Sequence, residues 1–128
     1  MVVTTIHGVF ASAFHVTDAP EETFAYKNPV TQHLQTKPAP VLSVLDAIAD
    51  SLARFAEACI EAGADGIYYA ALGGEAYRFQ EEEFVQYIKP YDLRVLRAVA
   101  DKAPFNILHI CKDQVRLPLY SDYPGQVV

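Results

Sequence analysis

The stretch Phe105-Asn-Ile-Leu-His-Ile-Cys111 sets an imidazole and a thiol two residues apart in a run of β-forming residues. In an extended strand, residues i and i+2 face the same way, so His109 and Cys111 project from one face at its C-terminal end. An imidazole nitrogen and a thiolate sulfur are both zinc ligands, and a catalytic zinc takes three protein ligands and one open position. The pair is thus the start of a metal site that needs a further donor. The bland alternative is a buried strand, since cysteine is among the residues most often found inside proteins.

Other candidates gather at two further strand ends. His7 closes the β-branched run Val2-Val-Thr-Thr-Ile-His7, with Gly8 as punctuation, and can line the mouth of a site. Tyr68 and Tyr69 are adjacent on the run Gly66-Ile-Tyr-Tyr-Ala-Ala71, so one faces the site and the other a helix layer. Gly73 and Gly74 follow that run and can let a ligand approach the backbone, although a flexible loop tip explains them equally well. Glu75, at the same rim, is a candidate acid or base. His7, Tyr68, Tyr69, Gly73 and Gly74 are therefore substrate-binding candidates, Glu75 a catalytic one, and His109 and Cys111 metal ligands. His15 and His33 fall in poorly defined segments and receive no role. Cys59 sits on an apolar helical stripe and reads as core.

The elements that must position these groups alternate. After the first strand, residues 9–17 form a short helix or a packed loop. Residues 18–40 hold four prolines and read as a long, partly irregular connection. Residues 43–62 have the apolar period of a helix (Leu45, Ile48, Ala49, Leu52, Phe55, Ala56, Cys59, Ile60), with Ser43 able to cap its start and Gly63 able to close it. A second strand spans 66–71. Glu81, Glu82 and Glu83 open another helix at its positive end. Lys89-Pro90 interrupts it, and a new helix runs from 91 to about 103. Pro104 ends that helix and the strand at 105–111 follows. A short helix at 117–123 and the start of a strand at 126–128 complete the chain. Alternation of this kind implies parallel strands with crossover helices. A whole (β/α)8 barrel needs eight such units and about 250 residues, so the expectation is a partial barrel in a single domain over residues 1–128.

Composition narrows the partners. The chain is 52% apolar and carries a net charge of −6, which excludes disorder and argues against nucleic acid and anionic membranes. No apolar run is long enough to span a bilayer and no cleavable leader pattern stands at the N-terminus. Two cysteines make no disulfide framework, so the expected compartment is a reducing cytoplasm.

Three runs carry a resemblance: Ala58-Cys-Ile-Glu-Ala-Gly-Ala-Asp-Gly-Ile67, Glu82-Glu-Phe-Val-Gln-Tyr-Ile-Lys-Pro-Tyr91 and Ile107-Leu-His-Ile-Cys111. Together they resemble the uroporphyrinogen decarboxylase superfamily, most clearly from about residue 45 to 128. The resemblance implies a (β/α)8 barrel of which this chain is a central segment. It implies one of two activities. The methyltransferase branch carries His-x-Cys at this strand and a distal Cys, and the three bind zinc. His109 and Cys111 match the first two ligands, and Lys112 stands where a Gly is usual, so the turn after the ligands is expected to differ. The decarboxylase branch acts on a tetrapyrrole without a cofactor. Its substrate-facing Ser would fall near Leu72 and its Tyr near His15 or Val16, and neither matches.

The leading expectation is therefore a parent enzyme that moves a methyl group from a corrinoid to a thiol at a zinc centre. The alternatives are a cofactor-independent uroporphyrinogen decarboxylase of porphyrin biosynthesis, or an inactive fragment that self-associates as a homo-oligomer through exposed sheet edges.

Overall fold

The structure is a computed structural model that describes residues 1–18 and 28–127. Four strands form one sheet: β1 (Val3–His7), β2 (Gly66–Ala71), β3 (Ile107–Ile110) and β4 (Gln126–Val127). They are parallel and lie side by side in chain order. Parallel neighbours need a crossover, and helices supply it. Between β1 and β2 run α1 (Val9–His15), α2 (Pro29–Thr36) and α3 (Pro38–Glu61). Between β2 and β3 run α4 (Glu81–Tyr87) and α5 (Lys89–Val99). A 3₁₀ turn at Leu117–Tyr120 leads to β4. Unbroken sequential order without reversal is how a (β/α)8 barrel winds, so the fold is α/β and comprises four consecutive strands of a partial barrel.

Alternation along the strands divides the sheet. Ile6, Tyr69 and Leu108 are register partners in one row and all are buried beneath the helices. The neighbouring rows, Thr5–Tyr68–Ile107 and His7–Ala70–His109, face the other side and remain partly or largely exposed. The core lies between the first face and the helix layer. Leu45 and Ala49 of α3 and Val95, Leu96 and Val99 of α5 are sealed there, each large side chain contributing about 2 kcal/mol by burial. Phe10 and Phe79 meet edge to face with ring centroids 5.5 Å apart.

The prolines of 18–40 start helices instead of breaking structure. Asn28 caps α2, its Oδ1 accepting the N–H groups of Val30 and Thr31, and Pro29 takes the first helical position. Pro38 takes the first position of α3. Proline lacks an N–H that this position would leave unbonded, and its fixed φ already suits a helix. The expected irregular connection is thus corrected at 28–40, and residues 19–27 lie outside the described residues. Ser43 is consequently inside α3 and caps nothing. Phe55, expected on the apolar stripe, is 51% exposed. Cys59 is half-buried, and both cysteines are free thiols. Among the described residues no helix is long and apolar enough to cross a membrane.

Two glycines are required for different reasons. Gly63 closes α3 at φ +105°. Its N–H donates to Ile60 O and that of Ala64 to Cys59 O, a Schellman ending. At Gly66, where β2 begins, an added Cβ would lie 1.6 Å from Phe105 O. We expect Gly66→Ala to destabilise the fold by ~3 kcal/mol or more, because backbone must move. Gly63→Ala meets nothing within 4 Å and is expected to cost about 1 kcal/mol through its φ alone. Urea unfolding of the two variants measures the order.

Candidate functional site

The exposed face of the sheet forms the floor of a cavity of about 330 Å³ at the C-terminal ends of the strands. Its central row is His7–Ala70–His109. Strands stand ~4.8 Å apart, so the two histidines flank the alanine at ~10 Å between backbones. Because Ala70 carries only a methyl group, the middle of the row stays open. Cys111, the first residue after β3, lines the same cavity as His109. The Tyr68 ring stacks on the His109 imidazole, centroids 5.3 Å apart and planes 25° apart, which holds the imidazole's orientation. From α1, Ala11 and His15 close one wall. The rings of His15 and His7 meet edge to face at 5.6 Å.

The structure thus brings together His7, Tyr68, His109 and Cys111 and separates the other candidates. Tyr69 points into the helix layer and is fully buried. Its hydroxyl donates to Asp92 Oδ1 at 2.5 Å and accepts the Val9 N–H at 3.1 Å. A substrate contact by Tyr69 is therefore corrected. Gly74 is covered by the Tyr120 ring, where an added Cβ would lie 2.5 Å from Oη, and its N–H donates to that oxygen at 2.9 Å. Gly73 lies against Ile88 and its N–H donates to Glu75 Oε2. These glycines admit protein side chains, not a ligand. Glu75 is itself sealed, 0% exposed. Its Oε2 also accepts Arg78 Nε at 3.1 Å. An acid or base must reach its substrate, and this carboxylate is enclosed in the loop it braces.

That loop and the one after β3 are clamped together. Glu75 and Val115 form an antiparallel bridge. Ala76 N–H donates to Gln114 O, and Arg116 N–H to Gly74 O. The Arg116 guanidinium also reaches Phe79 O. In the same loop Lys112 takes φ +85° and Gln114, which the clamp bonds, takes φ +58°, conformations that cost a residue with a Cβ roughly 1 kcal/mol each.

Behind the sheet, Asp92 in the first turn of α5 is 0% exposed. It receives the hydroxyls of Tyr69 and, at 3.0 Å, Tyr123. Burial raises its pKa from 3.8 to about 7, against the opposing effect of the hydrogen bonds from Tyr69, Tyr123 and the Val9 backbone. Burial and the nearby Asp92 push the Tyr69 and Tyr123 hydroxyls upward, so both stay protonated donors. This network ties β2, α1, α5 and the segment before β4, and it fixes α1 where His15 meets His7.

Sequence reasoning missed Asp92, His15 and Thr5. Asp92 resembles any helix-start acid, and only the fold shows that it is enclosed. A signal for His15 did exist: Ala11 and His15 are four apart on α1, hence on one helical face, one tight turn beyond His7.

Among the described residues no three His, Cys, Asp or Glu side chains converge as a metal site. His109 and Cys111 supply two donors of the kind zinc takes. His109 Nδ1 is buried with no hydrogen-bond partner among the described residues, whereas a ligating imidazole ordinarily donates from its second nitrogen. Among the described residues, His109 and Cys111 fit two of the positions of a zinc site.

A family model described as uroporphyrinogen decarboxylase (URO-D) matches residues 26–128. No curated protein and no solved structure matches the chain significantly.

The buried carboxyl sets a pH dependence. It binds its proton more tightly in the fold than in the unfolded chain, so folding takes up a proton between pH ~4 and ~7. Stability is expected to fall as pH rises through that window and to level off above it. Asp92→Asn removes this component, so the wild type loses up to ~4 kcal/mol relative to the variant across the window. Denaturant titrations of both proteins at several pH values test it. Parallel curves contradict it.

Proposed function

The chain belongs to the uroporphyrinogen decarboxylase family, and from that premise we propose that it forms the ligand-bearing part of a barrel enzyme that transfers a methyl group from a corrinoid to a thiol. His109 and Cys111 are two of the ligands of its zinc ion. The observation that carries this reading is that both side chains line one cavity at the C-terminal ends of parallel strands, where barrel enzymes place their chemistry.

Each neighbouring residue has a task in this reading. Tyr68 orients the imidazole of His109 by stacking. Ala70 leaves the floor clear for the acceptor, and His7 and His15 form the opposite wall. When bound, zinc lowers the pKa of a coordinated thiol and holds it as a thiolate nucleophile. A cavity of about 330 Å³ lies at the lower end of ligand-site sizes. It suits a small thiol, and a corrinoid would lie across the open face above it. Completion of the site needs a further donor from outside the described residues.

Decarboxylation of a tetrapyrrole is less well supported by the same geometry. Protonating a pyrrole carbon needs an acid within reach. Among the described residues no carboxyl group lines the cavity, and Glu75 is sealed and bonded to Gly73 and Arg78.

Cobalt(II) titration tests the assignment, because a thiolate-to-cobalt charge-transfer band reports sulfur ligation directly. The 128-residue chain is expected to show weak binding with such a band. Cys111→Ser abolishes it, His109→Ala weakens it about tenfold or more, and Cys59→Ser leaves it unchanged. Absence of the band in the wild type, or its loss on changing Cys59, contradicts the reading.

A further inference from the structure

We propose that two copies of the 128-residue chain join side by side about a two-fold axis. The β1 strands pair antiparallel, and the C-terminal halves of the two α3 helices pack against each other over the junction. The surface lies behind the sheet and at its edge, away from the cavity, and the proposal does not depend on zinc or on the reaction.

Three observations converge. The first is the edge. Among the described residues β1 pairs with β2 alone. The Gly8 N–H donates to Ala70 O. Since peptide groups alternate along a strand, the even-numbered residues of β1 address β2, and Val3, Thr5 and His7 turn their N–H groups outward. The run Val3-Thr-Thr-Ile-His7 holds no lysine, no proline and no acid. Those are the residues that keep an edge from pairing with another chain.

The second is the helix beside that edge. One flank of α3 meets α5, where Asp46 bonds Arg94 and Glu57 bonds Lys102. At ~100° per residue, Phe55 lies on the opposite flank, with Ile48, Leu52 and Cys59 near it. Phe55 is 51% exposed, and the other three are half-buried. No charged residue interrupts this stripe, because Asp50, Arg54 and Glu61 fall on the solvent side of the helix. The net charge of −6 therefore does not oppose contact at this flank. Since α3 ends at Glu61 and β2 starts five residues later beside Val3, it is the C-terminal half of α3 that runs along β1.

The third is that one symmetry operation engages both. Here α3 crosses between β1 and β2, and α5 between β2 and β3, so neighbouring helices are two strand spacings apart, ~10 Å, which is the distance at which helices pack. Antiparallel pairing of β1 with its copy sets the two α3 helices at the same spacing. Thr5 then faces Thr5 of the second copy and Val3 faces His7, so the outward N–H groups meet outward carbonyls. A five-residue strand and about four helical turns bury on the order of 600–800 Å² per copy, within the range of specific interfaces. Such an interface is isologous and closes at two copies.

Sedimentation equilibrium of the 128-residue chain tests the proposal. A monomer–dimer equilibrium with Kd on the order of 10 μM is expected. Phe55→Asp raises Kd about tenfold or more while helix content by circular dichroism stays the same, because that side chain is half outside the core. Val85→Asp, at a position 48% exposed on α4, leaves Kd unchanged. Amide hydrogen exchange of the wild type needs no variant. Protection of the Thr5 N–H is expected to rise with protein concentration, and that of the Val127 N–H, on the far edge of the sheet, is not. A monomer up to about 200 μM, some twentyfold above the expected Kd, overturns the proposal. So does a dimer that Phe55→Asp leaves intact, Thr5 exchange that ignores concentration, or larger assemblies in which Val127 becomes protected, the mark of head-to-tail pairing through β4.

Discussion

The hydroxyl of Tyr69 donates to the buried carboxyl of Asp92, and that bond fixes the side of the sheet on which every neighbouring side chain falls. A one-residue slip in β2 would turn Tyr69 outward and Ala70 inward. Asp92 would then lose a donor, and among the described residues it would keep the hydroxyl of Tyr123 and the Val9 backbone. An unsatisfied carboxyl there is costly. With Tyr69 held inward, Ala70 must face the open side, and register then carries the same choice to His7 and His109. The polar network behind the sheet thereby selects the composition of the cavity in front of it.

The same network reaches the cavity wall. The Val9 N–H, at the start of α1, donates to Tyr69. This bond sets the first turn of a seven-residue helix that is too short to be stable alone. Ala11 and His15 on that helix complete the site. On the opposite rim, the buried Glu75–Arg78 pair and the Glu75–Val115 bridge play the corresponding part. Buried ion pairs add little net stability but penalise any arrangement that separates them. The rim loops therefore have one preferred shape.

Much of this was legible in the sequence because it depends on local periodicity. The two-residue period placed His109 with Cys111 and set Tyr68 against Tyr69. The helical period found α3, and Gly63 marked its end. What escaped depended on contacts distant in sequence. Nothing local distinguishes Glu75, enclosed by Arg78 and the backbone of its own loop, from an acid on an open rim. The Gly73-Gly74 pair reads as ligand access until Tyr120, 46 residues from Gly74, is seen to occupy the space. Pro29 and Pro38 misled for a different reason, since proline breaks a helix interior but suits its first turn. The partial barrel was readable from the order of elements alone, because parallel strands leave few ways to connect.

The central claim is that an imidazole and a thiol converge on the open face of a parallel sheet whose other face is sealed by helices. Nuclear Overhauser contacts in the isotopically labelled chain test this most directly. The account predicts contacts from the His109 ring to the Tyr68 ring and to the Cys111 β-protons, with none to Val95 or Val99 of α5. Contacts from the His109 ring to those α5 side chains, or from Tyr68 to Asp92, would place the wrong face outward and contradict it.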